Sequence, residues 1–171
     1  MNSFLELAKK RFSVRAFKST PVEDEKIALI LEAAKVAPTA RNRQPQKIYV
    51  VRSEENLKKL SELSPCIYGA PLVFMVGFDM TRVSPAVKPG TTFGDHDAAI
   101  VCTHMMLEAE ELGLGSCWVG YFHPDRTSEA FSLPESVQLC ALLPVGYPAD
   151  DCEPSPKHTT FLPMEDIVEY L

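Results

Sequence analysis

The uninterrupted apolar run at residues 70–78 limits the possible folds of this chain more than any other feature. A strand with one face in water alternates apolar and polar residues, whereas a strand covered on both faces is apolar throughout. At nine residues the run is also far shorter than the roughly 20 that a helix needs to cross a bilayer. We therefore expect residues 71–78 to form a strand covered on both faces, and we expect no membrane partner.

Helical and strand patterns surround this run without a strict β-α-β alternation. Apolar residues recur at helical spacing in residues 3–11, 20–38, 53–63, 95–113 and 124–131, and β-rich runs lie at residues 47–52, 115–122 and 137–145. This order favours an α+β fold, with helices packed around a central mixed or antiparallel sheet, over a doubly wound parallel one. At 171 residues the chain is too short for two comfortable domains, so residues 1–171 are expected to form one.

Local sequence signals predict the start of one helix, one surface loop and the structure of the C-terminal segment. Thr20 and Pro21 are typical of a helix start, and Glu23 would complete a capping box with Thr20. Residues 79–94 are broken by prolines and glycines, so a surface loop is expected there. Residues 163–170 are expected to form a terminal helix or strand arm.

The net charge of −6 is distributed unevenly along the chain. Residues 1–53 hold eleven Lys/Arg and five Asp/Glu, a balance of +6, and the remaining residues have a balance of −12. An acidic remainder repels a long polyanion, which argues against nucleic acid as a partner. The basic cluster fits a small anionic ligand better, and ordinary solvated surface charge is the alternative.

The cysteines and histidines argue against disulfides and metals. The five cysteines are odd in number and include no C-x-x-C pair, so they are expected to be small core residues. His96 and His104 are eight residues apart on a predicted helix, roughly 12 Å along its axis, which is too far to share one metal ion. Residues 1–10 lack the apolar centre of a secretory signal. We therefore expect a cytoplasmic protein without a metal site.

The segment Arg11-Phe12-Ser13-Val14-Arg15 directly follows the first predicted helix. Alternate side chains of an extended segment share one side, so Arg11, Ser13 and Arg15 would face the same point. This arrangement favours phosphate binding, because each planar guanidinium can bind two oxygens while the hydroxyl donates to a third. An exposed basic strand is the alternative interpretation.

Residues 37–46, A-P-T-A-R-N-R-Q-P-Q, form a polar loop between two prolines. Thr39, Asn42 and Gln44 carry groups that both donate and accept hydrogen bonds. Such groups can match the alternating C=O and N–H groups of a flavin's pyrimidine ring, which a purely cationic loop cannot do. A helix-terminating turn with polar decoration is the alternative.

The glycine-rich run at residues 113–121, G-L-G-S-C-W-V-G-Y, follows a predicted helix and lacks the G-x-G-x-x-G spacing of a Rossmann pyrophosphate site. Its glycines allow a tight turn and a close approach of the backbone to a flat ligand beside Trp118, with a core tryptophan as the alternative. The chain has no G-x-S-x-G elbow and no P-loop. Any catalysis is therefore expected to depend on a bound cofactor.

Taken in order, these segments resemble the nitroreductase family of FMN-dependent oxidoreductases. The resemblance rests on R-x-S-x-R-x-F at residues 11–17, A-P-T-A-x-N-x-Q-P at 37–45, the helix from Asp95, the G-L-G-S-C-W-V-G turn and L-P-V-G-Y-P at 143–148. It implies an α+β homodimer with FMN in the interface, each site being built from both chains. It also implies NADH or NADPH as electron donor and an electron-poor small-molecule acceptor such as a nitroaromatic or a quinone.

The same resemblance implies cofactor-binding roles for individual residues and a catalytic role for none, since the chemistry takes place on FMN. Arg11 and Ser13 would bind the FMN phosphate and ribityl group, and Arg15 would lie near flavin N1 and O2. The backbone N–H groups of Val119 and Gly120 would point toward N5 and O4. The implied cofactor-binding set also includes Phe12, Trp118, Lys157 in place of a C-terminal arginine of many relatives, and, from the partner chain, Pro38, Thr39, Ala40, Asn42 and Gln44.

Two alternative functions stay open at this level. One is a flavin enzyme of the same fold with other chemistry, such as reductive dehalogenation or flavin fragmentation. The other is a non-catalytic, dimeric FMN-binding module. Turnover of a nitroaromatic with NAD(P)H counts against the first alternative, and bleaching of bound flavin by a reductant counts against the second.

Overall fold

A four-stranded antiparallel sheet lies at the centre of the computed structural model, which describes residues 3–85 and 91–171. The strands are β1 (Gln46–Val51), β2 (Leu72–Asp79), β3 (Gly115–Ser116) and β4 (Val137–Gly146), in the order β1-β2-β4-β3. A parallel bridge between Ser13 and Ser116 adds the N-terminal segment beside β3. The predicted α+β fold with a mixed or antiparallel sheet is therefore confirmed.

Helices cover both faces of this sheet. They are α1 (Phe4–Lys10), α2 (Asp24–Val36), α3 (Glu54–Leu63), α4 (Gly94–Glu111) and α5 (Pro124–Ala130). Successive residues of β2 alternate between two apolar clusters: Phe74 and Val76 pack with α2 and α4, whereas Val73 and Met75 pack with Leu60 of α3. This alternation explains why β2 is apolar from Leu72 to Phe78, as expected for a strand covered on both faces. Within residues 3–85 and 91–171, no helix has the length and apolarity of a membrane span.

The start of α2 differs from the predicted capping box. Glu23, rather than Thr20, is the N-cap residue, and its side chain makes no capping hydrogen bond. The physical reason lies far along the chain, because the Glu23 carboxylate accepts a hydrogen bond from the hydroxyl of Tyr147 at 2.8 Å. The Glu23 side chain is therefore bonded to Tyr147, and the predicted capping box with Thr20 does not form.

Two segments contain less regular secondary structure than the sequence predicts. Of residues 115–122, only Gly115–Ser116 form a strand, followed by an isolated bridge between Val119 and Leu142. Of residues 163–170, only Met164–Asp166 form a 3-10 turn, and the rest is neither helix nor strand. The predicted loop at 79–94 includes residues 86–90, which lie outside the described residues.

Tyr147 joins three elements through two charged partners. Its hydroxyl donates to Glu23 and accepts from Lys26 Nζ at 2.8 Å, and Lys26 also donates to the Leu112 carbonyl at the end of α4 at 3.0 Å. The pKa of Glu23 is lowered, first by a backbone hydrogen bond and then by the Tyr147 hydroxyl. The pKa of Lys26 is raised, first by its hydrogen bond to Tyr147.

We expect Tyr147→Phe to lower the melting temperature at pH 7 by about 2–4 °C, because both charged hydrogen bonds are lost. A carboxylate with a lowered pKa stabilises the fold above its ordinary value of 4.5 and loses that contribution as pH falls through the folded-state pKa. The difference between Tyr147→Phe and the wild type should therefore shrink in thermal scans below pH 4. Tyr170→Phe is the control, since the Tyr170 side chain is 94% exposed; an equal effect of both variants would contradict this role.

Candidate active site

The Arg11–Arg15 segment lies along the sheet edge beside β3. Val14 is fully buried, and its N–H donates to the Ser116 carbonyl at 3.0 Å. The segment can approach β3 this closely because Gly115 has no side chain; a Cβ there would lie 2.4 Å from Val14 Cγ2. Since Val14 points into the core, the residues on either side of it point away from it.

Arg11, Ser13 and Arg15 are brought together around the thiol of Cys117. Burial raises the pKa of this thiol, and the charge of Arg15, a hydrogen bond from Ser13 and the charge of Arg11 oppose the rise in that order. All three groups therefore influence one thiol, and their convergence on a ligand stays a prediction. The side chains of Arg11 and Ser13 are half-buried, and that of Arg15 is exposed.

Arg11 and Arg15 differ in their charge environment from four other basic residues of the N-terminal region. Within the part of the chain that the structure describes, neither Arg11 nor Arg15 forms an ion pair with a carboxylate. By contrast, ion pairs join Lys10 to Glu110, Lys18 to Asp150, Lys35 to Glu32 and Arg52 to Asp24. The surface-charge interpretation suits these four paired residues, and anion binding at the Arg11–Arg15 segment stays a prediction.

The C-terminal segment returns to the same place. His158 Nε2 donates to the Lys9 carbonyl at 3.1 Å, and its ring meets the edge of Phe12 with centroids 6.2 Å apart. These contacts place the 3-10 turn Pro156–Thr159, with the exposed Lys157, beside the Arg11–Arg15 segment. Phe12 thus contacts its own chain, and its contact with a cofactor stays a prediction.

Of the two N–H groups that the resemblance assigns to the flavin, those of Val119 and Gly120, one is already used within the chain. Val119 donates to the Leu142 carbonyl at 2.9 Å and accepts from the Leu142 N–H at 3.0 Å. The expectation that Val119 offers its N–H to a ligand is therefore wrong, because β4 already uses that group. Gly120 is exposed, and its N–H has no partner among residues 3–85 and 91–171. A Cβ on Gly120 would meet nothing within 4 Å, so packing inside the protomer does not explain the glycine.

Trp118 is half-buried and packs against the apolar cluster beneath α2 and α4. This contact agrees with the alternative interpretation of Trp118 as a core residue. Its direct contact with a ligand stays a prediction.

The polar loop after α2 is exposed and unusually shaped. Arg41, Asn42 and Gln44 have φ angles of 53°, 52° and 50°, a left-handed conformation that non-glycine residues seldom adopt. Gln44 N–H donates to Thr39 Oγ1 at 3.0 Å, and Gln44 Nε2 donates to Asn42 Oδ1 at 3.2 Å. Among the described residues, no hydrogen bond joins this loop to the Arg11–Arg15 segment. The loop, including Pro38 and Ala40, is therefore not part of the arginine cluster within one chain.

Two residues near this cluster escaped the sequence analysis. Tyr68 has a left-handed backbone with φ of 54°; burial raises its pKa, and a hydrogen bond with Arg15 opposes that rise. Ser64 is fully buried, donates to the Tyr121 carbonyl at 3.0 Å and accepts from the Cys66 N–H at 3.3 Å. The short P-C-I-Y-G-A-P stretch at residues 65–71 was the available signal, since it marks a tight turn directly before the buried strand.

Together the fold and the site define a class: an α+β protein with a basic segment at the sheet edge next to an open backbone turn. The chain matches the model of the nitroreductase family over residues 8–66 and 63–147. A nitroreductase family protein from Clostridium difficile 630 is 42% identical, with a TM-score of 0.92 over 99% of this chain and 98% of that one. The chain belongs to the nitroreductase family.

FMN is named for two further proteins, of which one is similar in sequence and the other is a solved structure with the same fold. The Bacillus subtilis (strain 168) protein named FMN reductase (NAD(P)H) is 29% identical over 185 aligned residues, covering 98% of this chain and 73% of its own. A protein from Exiguobacterium sibiricum 255-15, solved in complex with FMN, has the same fold with a TM-score of 0.87 at 23% identity, over 100% of this chain and 98% of that one.

Proposed function

We propose that the protein is an FMN-dependent oxidoreductase that takes electrons from NADH or NADPH and passes them to an electron-poor small molecule, such as a nitroaromatic or a quinone. The observation that carries the proposal is the pair of arginines without carboxylate partners, converging with Ser13 next to the open turn at Gly120. Family membership and the names of the relatives support the same function.

The donor set fits FMN. A phosphate dianion suits Arg11 with the hydroxyl of Ser13, and Lys157 on the docked C-terminal turn adds a third donor. The empty space at Gly120, where a Cβ would touch nothing, suits a flat ring next to an available N–H. When bound, FMN supplies redox chemistry that accepts a hydride and passes its electrons on.

The protein's own residues then bind FMN and influence the stability of its reduced state, and none of them takes part in a covalent step. Arg15 would place a positive charge beside the N1 and O2 side of the flavin ring, which would favour the reduced state of the cofactor. The Gly120 N–H would be available to the N5 and O4 side of the ring, and Val119 holds that turn by its bridge to β4. Because protons can come from solvent or from a ribityl hydroxyl, we assign no side chain as a general acid or base.

We also propose that the active form is a homodimer. An apolar groove of about 730 Å³ lies between α1, α2 and α4, and Phe4 and Val36 on its lining are 72% and 67% exposed. The C-terminal residues 160–171 are exposed as well and include Phe161 and Leu171. A second copy would cover these surfaces and would bring its own residues 38–44 to the flavin. Light scattering after gel filtration should give twice the mass of the 19.0 kDa chain.

We place the protein in the cytoplasm. The thiols of all five cysteines are unpaired, which suits a reducing compartment.

The visible spectrum tests the cofactor directly. We expect the purified protein, or the protein given FMN and desalted, to show flavin absorbance that bleaches when NADH or NADPH is added without oxygen. A nitroaromatic or quinone should then restore the colour and turn over. A colourless protein that gains no flavin would overturn the proposal. Bound flavin without bleaching by any reductant would indicate a binding module, and bleaching by NAD(P)H without turnover of either acceptor would indicate other flavin chemistry.

A further inference from the structure

Asp97 is a buried carboxylate whose place in the fold the apolar core does not explain. It lies in the first turn of α4 and is 2% exposed. Its Oδ1 accepts a hydrogen bond from the Ala40 N–H at 2.8 Å. Its Oδ2 is buried and has no hydrogen-bond partner among residues 3–85 and 91–171. Burial of a half-satisfied carboxylate opposes folding, so an apolar residue here would suit stability alone better.

The start of α4 holds Asp97 in one position. Gly94 packs directly on β2, since a Cβ there would lie 2.3 Å from the ring of Phe78. The Asp97 N–H donates to the Phe93 carbonyl at 2.8 Å within the helix. Asp97 is therefore held at the close contact between the start of α4 and β2.

The other end of the hydrogen bond is the strained loop. Three residues near Ala40 have left-handed backbones, namely Arg41, Asn42 and Gln44. Such conformations persist only where surrounding contacts impose them. Asp97 accepts from the Ala40 N–H, and Thr39 Oγ1 accepts from the Gln44 N–H. Arg43 Nε also donates to the carbonyl of the exposed Arg82 at 3.2 Å. Of these three bonds, only the one to Asp97 ties the loop to a buried residue.

We propose that Asp97 is a positioning residue that holds the loop of residues 39–44 in the shape needed to contact the flavin of the partner protomer. Its role in shaping the loop stands on the contacts of the protomer itself. The consequence for the flavin rests on the proposed function. The burial of Asp97 is then explained by its role in anchoring the loop of residues 39–44, and not by a contribution to stability.

Limited trypsin digestion of the protein without FMN measures the loop directly, because Arg41 and Arg43 are exposed cleavage sites inside it. Cleavage of a locally opened segment follows the population of the open form when closing is fast. Loss of a hydrogen bond to a charged group should raise that population about tenfold or more, so Asp97→Ala should be cut at both sites at least about tenfold faster than wild type. Cleavage at Lys58 in α3 serves as the internal reference.

Three further variants distinguish the loss of the hydrogen bond between Asp97 and Ala40 from a general loss of structure. Asp97→Asn keeps an oxygen for the Ala40 N–H and should be cut within about threefold of wild type. Asp95→Asn removes a neighbouring, exposed carboxylate from the same helix turn and should change nothing. Asp97→Leu removes the acceptor while filling the space, and should behave like Asp97→Ala.

Ala40→Pro tests the same bond from the other side, which keeps the proposal falsifiable if the Asp97 variants do not fold. Proline removes only the N–H, and position 40 is the first residue of a 3-10 turn after an extended Thr39 with φ of −132° and ψ of 156°, which proline accepts. This variant should show the same faster cleavage at Arg43.

FMN titration by flavin fluorescence then measures the consequence for the cofactor. Asp97→Ala and Ala40→Pro should bind FMN at least about tenfold more weakly than Asp95→Asn. Wild-type rates of loop cleavage in all three variants, Asp97→Ala, Asp97→Leu and Ala40→Pro, would overturn the proposal. Faster cleavage with unchanged FMN affinity would overturn its flavin part. If the wild type itself binds no FMN, the proposed function fails, and the cleavage rates still decide whether Asp97 shapes the loop.

Discussion

Replacing Gly115 by alanine is expected to lower the free energy of unfolding by about 1–3 kcal/mol and to weaken FMN binding at the same time. The added Cβ would lie 2.4 Å from Val14 Cγ2 and 2.9 Å from Val14 Cβ, both closer than carbon atoms approach in proteins, and 3.0 Å from Pro148 Cγ, which is a tight contact. Val14 is fully buried, so it cannot rotate into solvent. Its segment must instead move away from β3 and take Ser13 and Arg15 with it. Urea unfolding and FMN titration of one preparation measure both effects.

Gly120→Ala is the matched control, because a Cβ at that position meets nothing within 4 Å. Its free energy of unfolding should stay within about 0.5 kcal/mol of wild type. FMN binding should still weaken, because the methyl group would occupy space that we assign to the flavin ring. Val14→Ala combined with Gly115→Ala removes the closest clash and should regain part of the stability. Wild-type FMN affinity in both glycine variants would contradict our placement of the flavin.

Local patterns were sufficient to predict those parts of the molecule in which neighbouring residues decide the structure. The apolar run predicted a strand covered on both faces, and β2 contacts two clusters through Phe74 and Met75. Alternation predicted that Arg11 and Arg15 act on one point, and both influence the Cys117 thiol. In each case the physical cause, strand periodicity, acts within a few residues.

The parts that could not be predicted depend on partners far along the chain. The Glu23 carboxylate is bonded to Tyr147, 124 residues away, so the expected capping box does not form. The Val119 N–H is taken by Leu142 of β4, which no local pattern reveals. Asp97 gave a weaker signal, since a charged residue four positions before Val101 on the apolar side of a central helix already needs an explanation. That explanation, the N–H of Ala40, lies 57 residues earlier.

Arg11→Ala is expected to weaken FMN binding by about 1.5–3 kcal/mol, or roughly 10- to 150-fold in Kd, because a charged hydrogen bond to phosphate is lost. The fold should tolerate the change. Arg11 follows the last turn of α1, and within the described residues its side chain forms no ion pair that the substitution would break. Fluorescence titration with FMN measures the affinity, and a thermal scan should show an unchanged melting temperature.

Riboflavin, which has the flavin ring but no phosphate, turns this variant into a test of position. If Arg11 binds the phosphate, Arg11→Ala should weaken FMN binding and leave riboflavin binding unchanged. Arg15→Ala should weaken both, because Arg15 is assigned to the ring. Arg52→Ala is the charge-matched control, since Arg52 is paired with Asp24 and should affect neither ligand. Equal losses of FMN and riboflavin in Arg11→Ala would contradict a phosphate contact and would assign Arg11 to the ring. The comparison of FMN with riboflavin in Arg11→Ala therefore shows whether the phosphate or the ring of the cofactor lies at the Arg11 end of the Arg11–Arg15 segment.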